Sequence, residues 1–186
     1  MKFLPEKSYH VYNQGNNHER LFHQDFHYDT FLGLFKSYIL PHCHTMCWCL
    51  MPNHFHFLIH TDARVSELKK QGGLFLDPVT NGFRKTLSAY SHQFNLQNDR
   101  SGALFRPKTK SKCITDEGSI TNPGLSSSDY LAKCFHYIHN NPVTAGLVSL
   151  PEQWEWSSYK DYIRENEESF CNKELAYKLL GTERIT

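Results

Sequence analysis

The segment from Met51 to His60 restricts the possible folds of this chain more than any other segment does. It begins with the turn signal Pro52-Asn53 and continues as a run in which every second residue is apolar. Alternation with a period of two is typical of a β-strand with one buried face, so we predict a strand from His54 to Thr61. The preceding run, Thr45 to Leu50, is rich in β-forming residues and is predicted to be the other strand of a hairpin.

On such a strand, His54 and His56 project side by side from one face, while Phe55, Phe57 and Ile59 point to the other. Two neighbouring neutral imidazoles can share a metal ion. On a helix the same spacing would turn the two rings apart, so a metal site depends on the strand. The alternative is that both histidines are ordinary polar residues on a half-exposed strand, and the motif alone does not separate the two interpretations.

Composition limits the classes of protein to consider. The 186 residues suffice for one well-buried domain. Lys and Arg number 20 against 19 for Asp and Glu, so any binding of nucleic acid must come from local patches. No apolar run is long enough to cross a membrane, and the first residues are unlike a signal peptide. We therefore expect no membrane contact and a cytoplasmic location. In that location we expect the six cysteines to be reduced. A zinc site over His42 to Cys49 is disfavoured because Cys47 and Cys49 have the spacing of core residues on a strand.

Hydrophobic periodicity predicts the remaining elements. We expect a strand at 8–13, helices at 25–40 and 81–97, a short helical segment at 63–70, a strand at 103–114, a loop at 115–127, a helix at 129–140 capped by Ser128, and a helix at 173–180. The order β-α-β-β-α-β predicts an α+β fold, a ferredoxin-like split βαβ antiparallel sheet with helices on one face plus C-terminal helices. We divide the chain into one domain at 1–160 and a C-terminal helical tail at 161–186.

Four motifs occur in an order that resembles a known family. They are Pro52-Asn53-His54-Phe55-His56, the helical run Tyr90 to Asn95, Arg100-Ser101-Gly102, and Tyr137 to Val148, with similar flanking segments at Tyr9 to Asn16 and Trp156-Ser157-Ser158. This pattern resembles the REP-associated tyrosine transposases, which belong to the single-tyrosine branch of the HUH superfamily. The resemblance covers residues from about 8 to 160.

The resemblance implies a metal-dependent transesterification of single-stranded DNA at hairpins or palindromic repeats. His54 and His56 would hold Mg²⁺ or Mn²⁺, and Tyr90 would attack the phosphate to form a 5′-phosphotyrosine with a free 3′-OH. Imidazole ligands favour Mn²⁺ over Mg²⁺, although Mg²⁺ is the expected ion in a cell. Two alternatives are a hairpin-DNA-binding protein that does not cut and a metal-dependent hydrolase that uses water.

The third metal ligand stays open. Related transposases use Gln or Asn one helical turn after the tyrosine, but Phe94 stands four residues after Tyr90. Asn95 matches the family pattern by position, whereas Gln93 lies closer to the same face of the helix.

Several basic residues are candidate DNA contacts. On the predicted strand at 103–114, alternating basic residues would line one face and bind phosphates. This basic stripe consists of Arg106, Lys108, Lys110 and Lys112. The alternative is that these charges, with Pro107, protect an edge strand from pairing. Arg20, Arg84, Lys85 and Arg100 complete the predicted DNA-binding set. Related insertion-sequence transposases share active sites as dimers whereas the REP-associated branch acts as monomers, so a homodimer stays open.

Overall fold

The computed structural model describes residues 1–115, 126–164 and 168–182. The β-strands are β1 (Ser8–Gln14), β2 (His44–Met51), β3 (His54–His60), β4 (Lys69–Gln71), β5 (Leu74–Leu76) and β6 (Lys110–Cys113). The α-helices are α1 (Asp25–Tyr38), α2 (Pro78–Gln97), α3 (Ser127–Thr144), α4 (Tyr159–Ile163) and α5 (Lys173–Leu180).

Four strands form an antiparallel sheet in the order β2-β3-β1-β6. The predicted hairpin is present, since β2 and β3 are joined by the turn at Pro52-Asn53. With α1 between β1 and β2 and α2 between β3 and β6, this is the connectivity of the predicted split βαβ fold. The predicted α+β class with an antiparallel sheet is therefore confirmed.

Helices α1 and α2 pack on one face of this sheet and form an aromatic core with it. The rings of Phe35 and Phe57 stack with centroids 4.0 Å apart, and those of Phe31 and Phe55 lie 5.1 Å apart. These contacts confirm that the odd-numbered residues of β3 point into the core. They leave the even-numbered residues, which include both histidines, on the opposite face.

Helix α3, one of the predicted C-terminal helices, covers part of that opposite face, whereas α1 and α2 both pack on the first face as predicted. It packs against β2 and β3 through a buried stripe at helical spacing: Leu131, Cys134, Phe135, Ile138 and Pro142. Its N-cap is Ser126, two residues before the predicted cap, and the helix continues past Pro142. It ends before Gly146, which has φ +69°, a value that glycine adopts most easily.

Two other segments differ from the sequence predictions. The predicted helical segment at 63–70 is a short 3₁₀ turn, Ala63–Ser66, followed by the β4–β5 hairpin across Gly72-Gly73. Only Lys110–Cys113 of the predicted strand at 103–114 is regular. Most of the loop predicted at 115–127 lies outside the described residues. Helix α5 packs on α3 and β2, with Ala176 buried in the main core, and the boundary at residue 160 stays a prediction.

Candidate metal and nucleophile site

Strand β3 places the two predicted metal ligands side by side. The rings of His54 and His56 have centroids 4.9 Å apart and stand at 89° to each other. His54 is partly exposed, whereas His56 is only 5 % exposed. The pair therefore lies at the margin between the open part of the sheet and the part that α3 covers.

Hydrogen bonds orient both rings in the same sense. The Nδ1–H of His54 donates to Asn53 Oδ1 at 2.6 Å, which leaves Nε2 with a lone pair. His56 Nδ1 lies 2.8 Å from His10 Nε2 on β1, while His56 Nε2 is buried without a hydrogen-bond partner. Ligand histidines in metal sites are held in this way, through the nitrogen that does not bind the metal.

Burial keeps both histidines neutral at physiological pH. It lowers the pKa of His54, and it lowers the pKa of His56 still further, with a smaller contribution from the neighbouring His10 and His54. Neutral imidazole is the form that binds a metal ion. The partnerless Nε2 of His56, beside the His54 ring, fits a divalent cation, although no cluster of three His, Cys, Asp or Glu side chains occurs among the residues that the structure describes.

Tyr137 on α3 lies beside this pair. Its ring centroid is 5.7 Å from that of His56 and 6.0 Å from that of His10. The side chain is 52 % exposed, since Tyr137 lies outside the buried stripe of α3. One helical turn later Asn141 donates from Nδ2 to the Tyr137 carbonyl at 3.1 Å. The Tyr137 ring thus lies beside the imidazoles of His10 and His56, and Asn141 stands one turn further along α3.

Strand β6 brings two predicted phosphate ligands to the same face. Lys112 is opposite His10 and Lys110 is opposite Tyr12, whose ring lies 5.7 Å from that of His56. Lys110 is exposed, whereas Lys112 donates to the Tyr130 hydroxyl of α3 at 2.5 Å. Of the predicted basic stripe, these two lysines are the part that β6 carries.

Tyr90, the nucleophile that the sequence predicted, lies on the other side of the sheet. Helix α2 buries its ring to 1 % exposure among the core aromatics, and its hydroxyl donates to Leu21 O at 2.6 Å. Burial raises the pKa of the Tyr90 phenol well above its ordinary value. The sheet separates Tyr90 from His54 and His56, so this geometry contradicts its assignment as the nucleophile.

The two predicted third ligands, Asn95 and Gln93, are on α2 like Tyr90, which packs on the face of the sheet opposite His54 and His56. Asn95 donates from Nδ2 to Gly102 O at 3.0 Å and accepts from Arg100 Nη1 at 2.9 Å. Gln93 is exposed on α2. Both assignments fail for the same reason: β3 presents its histidines away from α2.

The remaining predicted DNA contacts are dispersed. Arg100 has a structural role, because its guanidinium forms an ion pair with Glu19 through two hydrogen bonds of 2.6 and 2.5 Å. This ion pair joins two loops. Arg20 is exposed and donates to Phe22 O at 2.8 Å. The other four are exposed and lie on α2 or in the segment before β6: Arg84, Lys85, Arg106 and Lys108.

The sequence contains a signal for Tyr137 that the motif around Tyr90 obscured. Tyr90 continues the buried α2 stripe of Val79, Phe83 and Thr86, as core residues do. Tyr137 instead interrupts the polar face of an amphipathic helix, where a large aromatic residue is unexpected. The pattern of buried and polar positions therefore favours a functional tyrosine in the motif Tyr137 to Val148 over Tyr90.

Comparison with solved structures shows that related folds are known. The structure of a REP-associated tyrosine transposase bound to a REP hairpin aligns over 91 % of this chain and 87 % of that chain, with a TM-score of 0.59 and 13 % identity. At this identity the likeness shows a common α+β fold. No known family and no curated protein matches the sequence. None of the described helices has the length and hydropathy to span a membrane.

Proposed function

We propose that this protein is a DNA strand-transfer enzyme that cuts and rejoins single-stranded DNA beside hairpins, with Tyr137 as its nucleophile. One observation carries the proposal: the exposed Tyr137 ring lies 5.7 Å from the His56 ring on the open side of the sheet. The transposase with the same fold is bound to a DNA hairpin, which supports DNA as the substrate.

His54 and His56 would hold the divalent ion, Mg²⁺ or Mn²⁺, through their Nε2 atoms. When bound, such an ion supplies positive charge that polarises the scissile phosphate. Asn141 stands one turn after Tyr137, where the family resemblance implies an amide ligand. It replaces Asn95 and Gln93 as the candidate third ligand.

Tyr137 would form a bond from its phenolic oxygen to phosphorus while the bond from phosphorus to the 3′ oxygen breaks. The phenol releases its proton to solvent, and the departing 3′ oxygen takes one up. The phosphotyrosine retains the energy of the phosphodiester, so attack by another 3′-OH rejoins strands and frees the tyrosine without ATP. Lys110 and Lys112 lie on the same face and would bind the phosphates of the strand.

The three principal groups of this site come from one chain, so the proposed reaction needs no second copy. Whether the protein forms a homodimer stays a prediction, as does its cytoplasmic location.

Covalent capture tests the proposal. Incubation with a single-stranded DNA hairpin and Mn²⁺ should yield a denaturant-resistant adduct that mass spectrometry maps to Tyr137. Tyr137→Phe should bind the hairpin and form no adduct, while the matched variant Tyr90→Phe should form it. An adduct on Tyr90 would reject the assignment. Cleavage without any adduct would favour the hydrolase, and hairpin binding without cleavage would favour a protein that only binds DNA.

A further inference from the structure

A groove of about 970 Å³ runs along the outer side of α2. One wall is the face of α2 that carries Arg84, Leu87 and Ser88, which helical spacing places together. The facing wall is the segment 103–111, and strand β5 contributes Leu74 and Leu76. We call this depression the α2 groove. Its α2 wall lies on the face of the sheet opposite α3, and the groove extends to the edge strand β6 at Lys110 and Ser111.

The charge of the α2 groove is uniformly positive. Four cations line it, Arg84, Arg106, Lys108 and Lys110, and the described residues along its walls include no Asp or Glu. None of the four forms an ion pair with a described carboxylate. Exposed, uncompensated cations along a concave surface attract a polyanion.

The apolar part of the groove favours a single strand over a duplex. Leu74 is 65 % exposed, and Leu76 and Leu87 line the same depression. Unpaired nucleotides present apolar base faces that can cover such a wall, whereas a duplex stacks those faces inside and presents its backbone. Hydroxyl groups of Ser88 and Thr109 supply donors for phosphate oxygens.

The groove leads to the candidate metal and nucleophile site. Lys110 lines the groove and also pairs with Tyr12 across β1 and β6. The Tyr12 ring in turn lies 5.7 Å from the His56 ring. Since β6 is the edge of the sheet, a strand in the groove would have to pass around that edge to reach the histidines.

We propose that the α2 groove binds the single-stranded DNA that flanks the hairpin and guides it around β6 to the site. This inference rests on the proposed function and adds to it a binding track on the face of the sheet opposite Tyr137. It also places Arg84, Arg106 and Lys108, three of the DNA contacts predicted from the sequence, in one groove.

The test compares a groove variant with a charge-matched control. The groove variant combines Arg84→Gln, Arg106→Gln and Lys108→Gln, and the control combines Lys69→Gln, Lys70→Gln and Lys178→Gln, all exposed residues. Binding of a DNA hairpin, with and without a ten-nucleotide single-stranded flank, is followed by fluorescence anisotropy in EDTA, so that no cutting occurs. Circular dichroism verifies that both variants fold.

The flank should tighten binding to the parent and the control protein on the order of ten-fold, and the groove variant should lose that gain. Its salt slope on the flanked hairpin should fall by about 2, because three cations each neutralise one single-strand phosphate at about 0.7. The proposal would be overturned if the flank did not raise the affinity of the parent protein, or if the groove variant kept the gain in affinity. It would also be overturned if a flank annealed to its complement raised the affinity equally.

Failure of this proposal and failure of the proposed function are distinguishable. If the adduct forms on Tyr137 but the flank adds no affinity, the groove assignment alone fails. If the flank binds in the groove but no adduct forms with Mn²⁺, the strand-transfer reaction alone fails.

Discussion

His10 Nε2 lies 2.8 Å from His56 Nδ1, so a histidine on β1 orients a histidine on β3. One of these nitrogens must carry the shared proton. If His56 donates, its partnerless Nε2 keeps the lone pair that a divalent cation needs. His10 would therefore influence the proposed metal site through His56.

Replacement of His10 tests this relationship. His10→Phe retains a ring but removes the acceptor, and we expect Mn²⁺ affinity, measured by electron paramagnetic resonance titration without DNA, to fall about 10- to 100-fold. His10→Gln can accept from His56 through its amide oxygen and should recover most of the affinity. Equal Mn²⁺ affinity in the parent and in folded His10→Phe would show that His10 has no positioning role.

Tyr90→Phe should lower stability, because it leaves the buried Leu21 carbonyl without its donor. We expect a loss of about 1 to 3 kcal/mol in the free energy of unfolding, measured with urea. Tyr137→Phe removes the same atom from an exposed side chain and should change stability by less than about 0.5 kcal/mol. The opposite ranking of these two variants would contradict the placement of both tyrosines.

Gly82 allows α2 to approach α1. A Cβ added at this position would lie 2.2 Å from the Tyr38 carbonyl oxygen, which is backbone and has little room to move. Gly82→Ala should therefore cost more than about 2 kcal/mol. Gly33→Ala is the matched control on α1, with open space around the added methyl, and should stabilise the protein by about 0.5 to 1 kcal/mol. Thermal unfolding of both variants measures the difference, and equal midpoints would refute the close approach.

Asp62 makes stability depend on acidic pH. The hydrogen bond from Arg64 is the main cause that lowers the Asp62 pKa from 3.8 to about 2. Because the folded pKa lies below the unfolded one, the stabilisation is complete above about pH 4 and disappears as the pH falls toward about 2. Asp62→Asn should lose about 1 kcal/mol in urea denaturation near neutral pH and nothing near pH 2. Asp29→Asn, at an exposed position on α1, is the matched control.

Local patterns in the sequence determined the main helices, the strands of the β2–β3 hairpin and the placement of the histidine pair. Alternation from His54 to His60 depends on neighbours along the chain, so it predicted both the strand and the face that each side chain occupies. The order of elements then restricted the topology to a few antiparallel sheets, of which the observed order β2-β3-β1-β6 is one.

The tertiary structure alone decided which tyrosine meets the histidines. Tyr90 and Tyr137 both lie on amphipathic helices, and helical periodicity does not state on which face of a sheet a helix packs. Helix α2 packs on the face of Phe55 and Phe57, whereas α3 packs on the face of His54 and His56. The contact between His10 and His56 likewise joins residues 46 positions apart, and only the pairing of β1 with β3 brings them together.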